Sequence, residues 1–197
     1  MEQDKFLIRE YSPDMDELSH DNIIDAIHSN KNNITYSHKI NGRWENQYLS
    51  IQFLPQIKKI FHFACKVGKE MIDRSLIIPH KEMGLPMDEF WFNIASPGES
   101  TGWHDHKDRS LLSGVYYLKV PENAGNINFR EKNGDQFREW QIRSQTGKMI
   151  LFHSNMEHSV SKNKSSENRI SIAFNLYALP IDIDAFSDSY SSNKFYL

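Results

Sequence analysis

The feature that most restricts this chain lies after Pro86. There the spacing of apolar residues drops towards two, and no helix-length amphipathic stretch follows. Residues 90–95, 111–120, 126–129, 148–152 and 169–177 read as strands. Pro97-Gly98, Asn123-Ala124-Gly125, Asn133-Gly134 and residues 162–166 supply the turns between them. Short strands joined by turns, with no helices between, close into an antiparallel sandwich or jelly roll.

Before Pro86 the period is helical. Ser12-Pro13-Asp14 predicts a helix start, with proline early and an acid in the first turn. Leu18, Ile23, Ile24 and Ile27 follow close to one face, and residues 31–33 end the helix. Residues 35–49 read as extended, with a turn at Asn41-Gly42. A longer helix is predicted over 52–73, with Leu54, Ile57, Ile60, Phe61, Ala64, Val67 and Met71 as its apolar stripe. The expected organisation is one domain over residues 1–197: a helical support layer (1–85), a jelly-roll core (86–178) and a tail (179–197).

Composition narrows the function classes. A net charge of -3 disfavours a generally basic nucleic-acid binder. No apolar run reaches the roughly 18 residues that span a bilayer, and the polar start MEQDKFLIREYS does not read as a signal peptide. A single cysteine, Cys65, excludes an internal disulfide framework and a cysteine-rich zinc site. A cytoplasmic protein is expected, with no membrane partner.

The nine histidines are unevenly spread, and four fall in the strand-rich half in two clusters. The first is Gly102-Trp103-His104-Asp105-His106-Lys107-Asp108, and the second His153-Ser154-Asn155-Met156-Glu157-His158. Residues i and i+2 of a strand share a side. Either His104 with His106 or His106 with Asp108 therefore supplies two metal ligands, and His158 is the natural third. Such a set leaves open positions on an octahedral Fe(II), as an oxygenase requires. Eleven residues after His158 (169 − 158) comes Arg169-Ile170-Ser171. In a strand the guanidinium and the hydroxyl face one way, a good clamp for a carboxylate. A dicarboxylic keto acid would meet the metal at one end and Arg169 at the other.

Further motifs surround this set: Trp91-Phe92-Asn93, then Ser113-Gly114-Val115-Tyr116-Tyr117-Leu118, then Gly147-Lys148-Met149-Ile150-Leu151-Phe152 before His158, and Arg169-Ile170-Ser171-Ile172-Ala173-Phe174-Asn175 after it. Over about residues 86–178 the chain resembles the Fe(II)/2-oxoglutarate-dependent oxygenases, and within them a bacterial and phage group with H-x-H followed by this Ser-Gly-Val-Tyr-Tyr strand. The resemblance implies a mainly β fold with N-terminal helices, the double-stranded β-helix (jelly roll, cupin-like). It implies Fe(II) as cofactor, with 2-oxoglutarate and O2 as co-substrates. His158 would be the distal ligand, and Arg169 and Ser171 would hold the far carboxylate. Tyr117, or its neighbour Tyr116, would donate to that carboxylate, and Asn93 would touch the keto acid. Most of the superfamily uses H-x-D. Here the spacing to the Tyr-Tyr strand favours His104 and His106, whereas ligand chemistry favours the carboxylate of Asp108.

The expected activity is a dioxygenase that hydroxylates a small-molecule or peptide substrate. Two other readings stand beside it: a cupin-like metal dioxygenase without 2-oxoglutarate, and a jelly-roll binding module without catalysis. His20, His28, His38, His62 and His80 are expected at solvated or helix-surface positions, and His153 as structural or a pocket wall. Trp91 and Trp103 are expected to pack, and Cys65 to be a small buried hydrophobe. The loops 97–102 and 123–125 are candidate lids over the site, the first with Gly98 and Gly102 for mobility.

Overall fold

The computed structural model describes residues 8–14, 17–37, 39–40, 43–106 and 110–181. Its strands in chain order are β1 (Ile8–Tyr11), β2 (Thr35–Tyr36), β3 (Lys39–Ile40), β4 (Arg43–Trp44), β5 (Gln47–Tyr48), β6 (Leu76–Ile77), β7 (Phe90–Ala95), β8 (Thr101–His104), β9 (Leu112–Lys119), β10 (Ile127–Asn133), β11 (Gln136–Ile142), β12 (Met149–His153), β13 (Glu157–Val160) and β14 (Arg169–Ala178). Two α-helices, α1 (Glu17–Ser29) and α2 (Ile57–Ile72), precede the strand-rich half.

The strands form a major sheet, ordered β1-β12-β9-β14-β7-β5-β2 with β6 added beside β14, and a minor sheet, β11-β10-β13-β8. All pairings in both are antiparallel. This two-sheet β architecture is the double-stranded β-helix that the motifs imply. Residues 8–85 add strands as well as helices: β1 pairs with β12, and β5 pairs with β7.

Alternation along the central strands sorts their side chains between two cores. Leu112, Tyr116 and Leu118 of β9 and Ile170, Ile172, Phe174 and Leu176 of β14 face the helices. There they meet Ile23 and Ile27 of α1 and Ile57, Ile60, Phe61, Ala64 and Val67 of α2. Complete burial of such side chains is worth roughly 1.5–3 kcal/mol each, so this layer is what backs the sheet that carries the site. Their odd-numbered neighbours look inward. Val115 and Tyr117 form the second core with Ile127, Phe129, Ile150, Phe152 and Met156, between the sheets.

Gly114 shows why one position in the Ser-Gly-Val-Tyr-Tyr strand carries no side chain. It pairs with Leu151 on one side and Phe174 on the other. A Cβ there would lie 2.3 Å from Phe174 Cε2 and 2.6 Å from Leu151 Cδ2. The helix-facing layer therefore closes over the glycine.

Several sequence expectations change in detail. The second helix starts later, at Ile57, because Ile51–Phe53 forms a separate 3-10 turn and Leu54 leaves helical geometry before Pro55. It ends at Asp73, which adopts a left-handed conformation (φ 52°) and donates its N–H to Lys69 O. Asp is one of the few non-glycine residues that tolerate this. The Asn41-Gly42 turn and the tail from Asp182 lie outside the described residues. His20 is not solvated: it is buried and hydrogen-bonds the Tyr116 hydroxyl beneath α1. No helix among the described residues is long and apolar enough to cross a membrane.

Candidate active site

One row of the minor sheet carries two of the candidate ligands. Trp140, Phe129, His158 and His104 lie opposite one another across its four strands. Between His158↔His104 and Val160↔Thr101 the register shifts by one residue. A bulge of this kind re-aims a side chain, and it sits beside His104. His106 lies beyond the end of β8, so strand alternation does not account for its position. A backbone hydrogen bond from His106 N to Ser154 O (2.9 Å) holds it instead.

The three imidazoles converge. Ring centroids are 4.2 Å apart for His104–His158, 5.5 Å for His104–His106 and 5.2 Å for His106–His158. One ligand atom of each lies within 4.8 Å of the other two. His158 is buried and packs against Phe152 and Phe129. His104 lies nearest solvent. Asp108, the alternative ligand, lies outside the described residues.

Hydrogen bonds set which nitrogen of each ring is available. Nδ1 of His104 faces Gly102 O at 2.9 Å, and Nδ1 of His158 faces Met156 O at 2.9 Å. A carbonyl only accepts, so both rings carry their proton on Nδ1 and a lone pair on Nε2. Nδ1 of His106 lies 2.8 Å from both Ser113 Oγ and Asn175 Oδ1. Burial, with the neighbouring imidazoles adding to it, lowers the pKa of His106 to about 4 and that of His158 well below the usual range. Both rings are therefore neutral at pH 7, the form that binds a metal. Three imidazoles this close fit one Fe(II): they would hold it by three nitrogens and leave other positions for co-substrates.

The inner face of the major sheet lies opposite. Its cross-strand rows run from Ser113 and Asn175, through Trp91, Ala173 and Val115, to Asn93, Ser171 and Tyr117, and end at Arg169 beside Ala95. The triad meets the first of these rows, through His106. Trp91 stands edge-on to His106, with centroids 5.5 Å apart. The Asn93 amide is oriented so that its nitrogen donates to Glu45 O and its oxygen accepts from Trp91 Nε1. Ala173, in the middle of the row, is small and half-buried.

Arg169 is only 2% exposed despite its charge. Its Nη1 donates to Ala124 O (2.7 Å) and Ser161 O (3.4 Å). Tyr117 is buried beside it. Burial raises the phenol's pKa, while Ser144 and the guanidinium pull the other way, so the hydroxyl stays protonated and can donate. Tyr116 faces the helix layer, away from this interior.

The loops expected to act as lids are tied down. Gly98 N donates to Asn163 O (2.7 Å), and Asn163 N to Glu99 O (2.8 Å). The Asn163 amide nitrogen also donates to Ala95 O and Glu167 O. Residues 123–125 are held by Lys164 N to Asn123 O. Gly125 (φ +88°) lets this loop pack so closely that a Cβ would lie 2.3 Å from Ser161 O. That close approach brings Ala124 O and Ser161 O together on Arg169.

Sequence reasoning passed over Ser113, Asn175 and Glu89. The period of two from Arg169 through Ser171 and Ala173 would have put Asn175 on the same inner face. Glu89 carries no such signal, since it precedes β7.

Residues 89–175 match the family model described as "Putative 2OG-Fe(II) oxygenase". No curated protein matches the sequence. Among solved structures, the non-heme alpha ketoglutarate dependent carbocyclase SnoK from nogalamycin biosynthesis is similar at TM-score 0.68 and 12% identity, over 95% of this chain and 87% of that one. The epimerase SnoN from the same biosynthesis is similar at TM-score 0.68 and 10% identity, over 88% and 78%. A prolyl-4-hydroxylase of Pseudomonas putida is similar at TM-score 0.56 and 16% identity, over 86% and 87%. At these identities the likeness is one of fold. With this family pattern spanning the β core and three imidazoles placed for one iron, the chain is similar to the 2OG-Fe(II) oxygenases, an oxidoreductase using iron, 2-oxoglutarate and O2.

Proposed function

We propose that this oxygenase couples oxidative decarboxylation of 2-oxoglutarate to hydroxylation of a C–H bond in a small-molecule or peptide substrate in the cytoplasm. One observation carries the proposal: a cluster of three imidazoles and a buried guanidinium lie along one interior between the two sheets. In the overall reaction 2-oxoglutarate, O2 and R–H give succinate, CO2 and R–OH, with one oxygen atom entering each of the acid and the alcohol. Hydroxylation is the simplest outcome. An epimerase, a carbocyclase and a prolyl hydroxylase share the fold, so the scaffold itself does not dictate it.

His104, His106 and His158 would hold Fe(II), which when bound supplies the oxidising chemistry. The protein's own part is binding and orientation. Arg169 takes the far carboxylate of the keto acid, with Ser171 and Tyr117 donating beside it. The Ala173–Val115 floor gives the keto acid room. Asn93 lines the same row as Ser171 and Tyr117, and its contact with Trp91 steadies the wall against His106.

The cupin-like alternative is favoured by one feature, a ligand set without a carboxylate. Arg169 speaks against it, because that chemistry needs no buried cation. Thermal shift separates the readings, with Mn(II) standing in for Fe(II). A ligand at 100 times its Kd adds about 2.7 kcal/mol, or roughly 5–10 °C for a chain of this size. The proposal expects one rise with Mn(II) and a further rise with 2-oxoglutarate. A response to metal alone favours the cupin-like enzyme, and no response to either favours a binding module.

A further inference from the structure

We infer that Glu89, acting through Asn175, is a positioning residue that holds His106 in its Nδ1–H tautomer and so turns Nε2 towards the metal. This deepens the proposed function and rests on His106 being a ligand. His104 and His158 have their tautomers fixed by backbone carbonyls. His106 does not, because its two Nδ1 neighbours belong to a serine and an asparagine, and both side chains carry donors as well as acceptors.

The ambiguity is removed one step further out. The Asn175 Nδ2 donates to Glu89 Oε2 at 2.8 Å, and Asn175 N donates to Glu89 O at 2.9 Å. Glu89 is buried, as is Asn175. The Glu89 carboxyl oxygen accepts from the amide nitrogen, which turns Oδ1 towards His106. That oxygen has two lone pairs. Ser113 Oγ donates to one at 2.8 Å, and His106 Nδ1–H donates to the other. With its proton spent on Ser113 and Asn175, the ring presents Nε2 as a lone pair. Outer partners of this kind orient metal-binding histidines and raise their basicity.

The first test needs neither metal nor variant. In the full chain labelled with 15N-histidine and kept metal-free, long-range proton–nitrogen correlations report the tautomer of His106. The Nδ1–H form is expected, and the Nε2–H form overturns the inference. The second test compares Glu89→Ala and Glu89→Gln by Mn(II) titration, following the spectrum of the free ion. Glu89→Ala should weaken binding about 10- to 100-fold. Glu89→Gln can still accept from Asn175 and should stay close to the wild type. Wild-type affinity in a folded Glu89→Ala, or equal losses in both variants, overturns the relay. Should Glu89→Ala not fold, the tautomer result decides. Absence of Mn(II) binding by the wild type is a different failure, since it removes the site reading itself.

Discussion

Arg169→Met tests the co-substrate assignment and leaves little cavity, because methionine fills much of the same volume. Two effects separate. The first is structural. The variant loses the donor to Ala124 O at 2.7 Å and the weaker one to Ser161 O at 3.4 Å. Ala124 is 1% exposed, so its carbonyl has little access to water. Leaving such a group unsatisfied costs about 1–3 kcal/mol, and each kcal/mol lowers Tm by about 2–4 °C in a chain of this size. The second effect is on binding. Truncating one partner of a buried, hydrogen-bonded charge pair costs about 2–5 kcal/mol. At about 1.4 kcal/mol per decade, that is roughly a 30-fold to several-thousand-fold rise in Kd for 2-oxoglutarate. Calorimetric titration of the Mn(II)-loaded protein measures it. 2-Oxobutyrate, with the same keto-acid head but no far carboxylate, is the internal control. Its Kd should barely change, so the preference for the dicarboxylate collapses in the variant. A folded Arg169→Met that binds 2-oxoglutarate as tightly as the wild type would refute the clamp. So would a wild type that binds both acids equally.

Other expectations follow from single contacts. Gly114→Ala forces a methyl against Phe174 and Leu151, both fully buried. Overpacking should cost about 1–3 kcal/mol in denaturant unfolding, and a loss under about 0.5 kcal/mol would mean the layer yields easily. Asn163→Ala removes the donor to Ala95 O and Glu167 O and the acceptor for Ser165. Amide exchange in 97–102 should quicken markedly, whereas unchanged protection would show that the side chain does not pin that loop. Because burial holds the folded pKa of His106 at about 4, its unfolded form takes up a proton first as pH falls from about 6.5. The metal-free protein should therefore lose stability across that window, and His106 resonances should stay at neutral-ring positions down to about pH 5. A His106 titration midpoint near 6.5 would contradict the burial argument.

How much of this was legible in the sequence depends on which force places each residue. The central strands stood out because both of their faces are buried, which leaves near-continuous apolar runs such as Leu112–Leu118 and Met149–Phe152. β11 was missed because it is an edge strand facing water along most of its length, so Gln136–Ile142 shows charge where a core strand shows apolar residues. β8 and β13 are four residues each and mostly polar, too short for a period to register. The same contrast holds within the site. Arg169 and Ser171 were readable because a period of two puts both on one face, whereas Tyr117 came only from the likeness of its strand to the family pattern. His104 and His106 share an interior for a different reason: a bulge re-aims one ring, and a backbone bond to Ser154 carries the other past the strand end. Spacing pointed to His104 and His106 on a premise, strand alternation, that only His104 meets. Glu89 had no sequence signal at all, because its link to His106 is two hydrogen bonds long and crosses from one strand's start to another strand's middle. A ligand's partners are set by the register between strands, and a single sequence records register only where a turn is too short to allow another. The two-residue turn after Asn133 is such a place. No turn of that kind joins β7 to β14, where Glu89 and Asn175 meet.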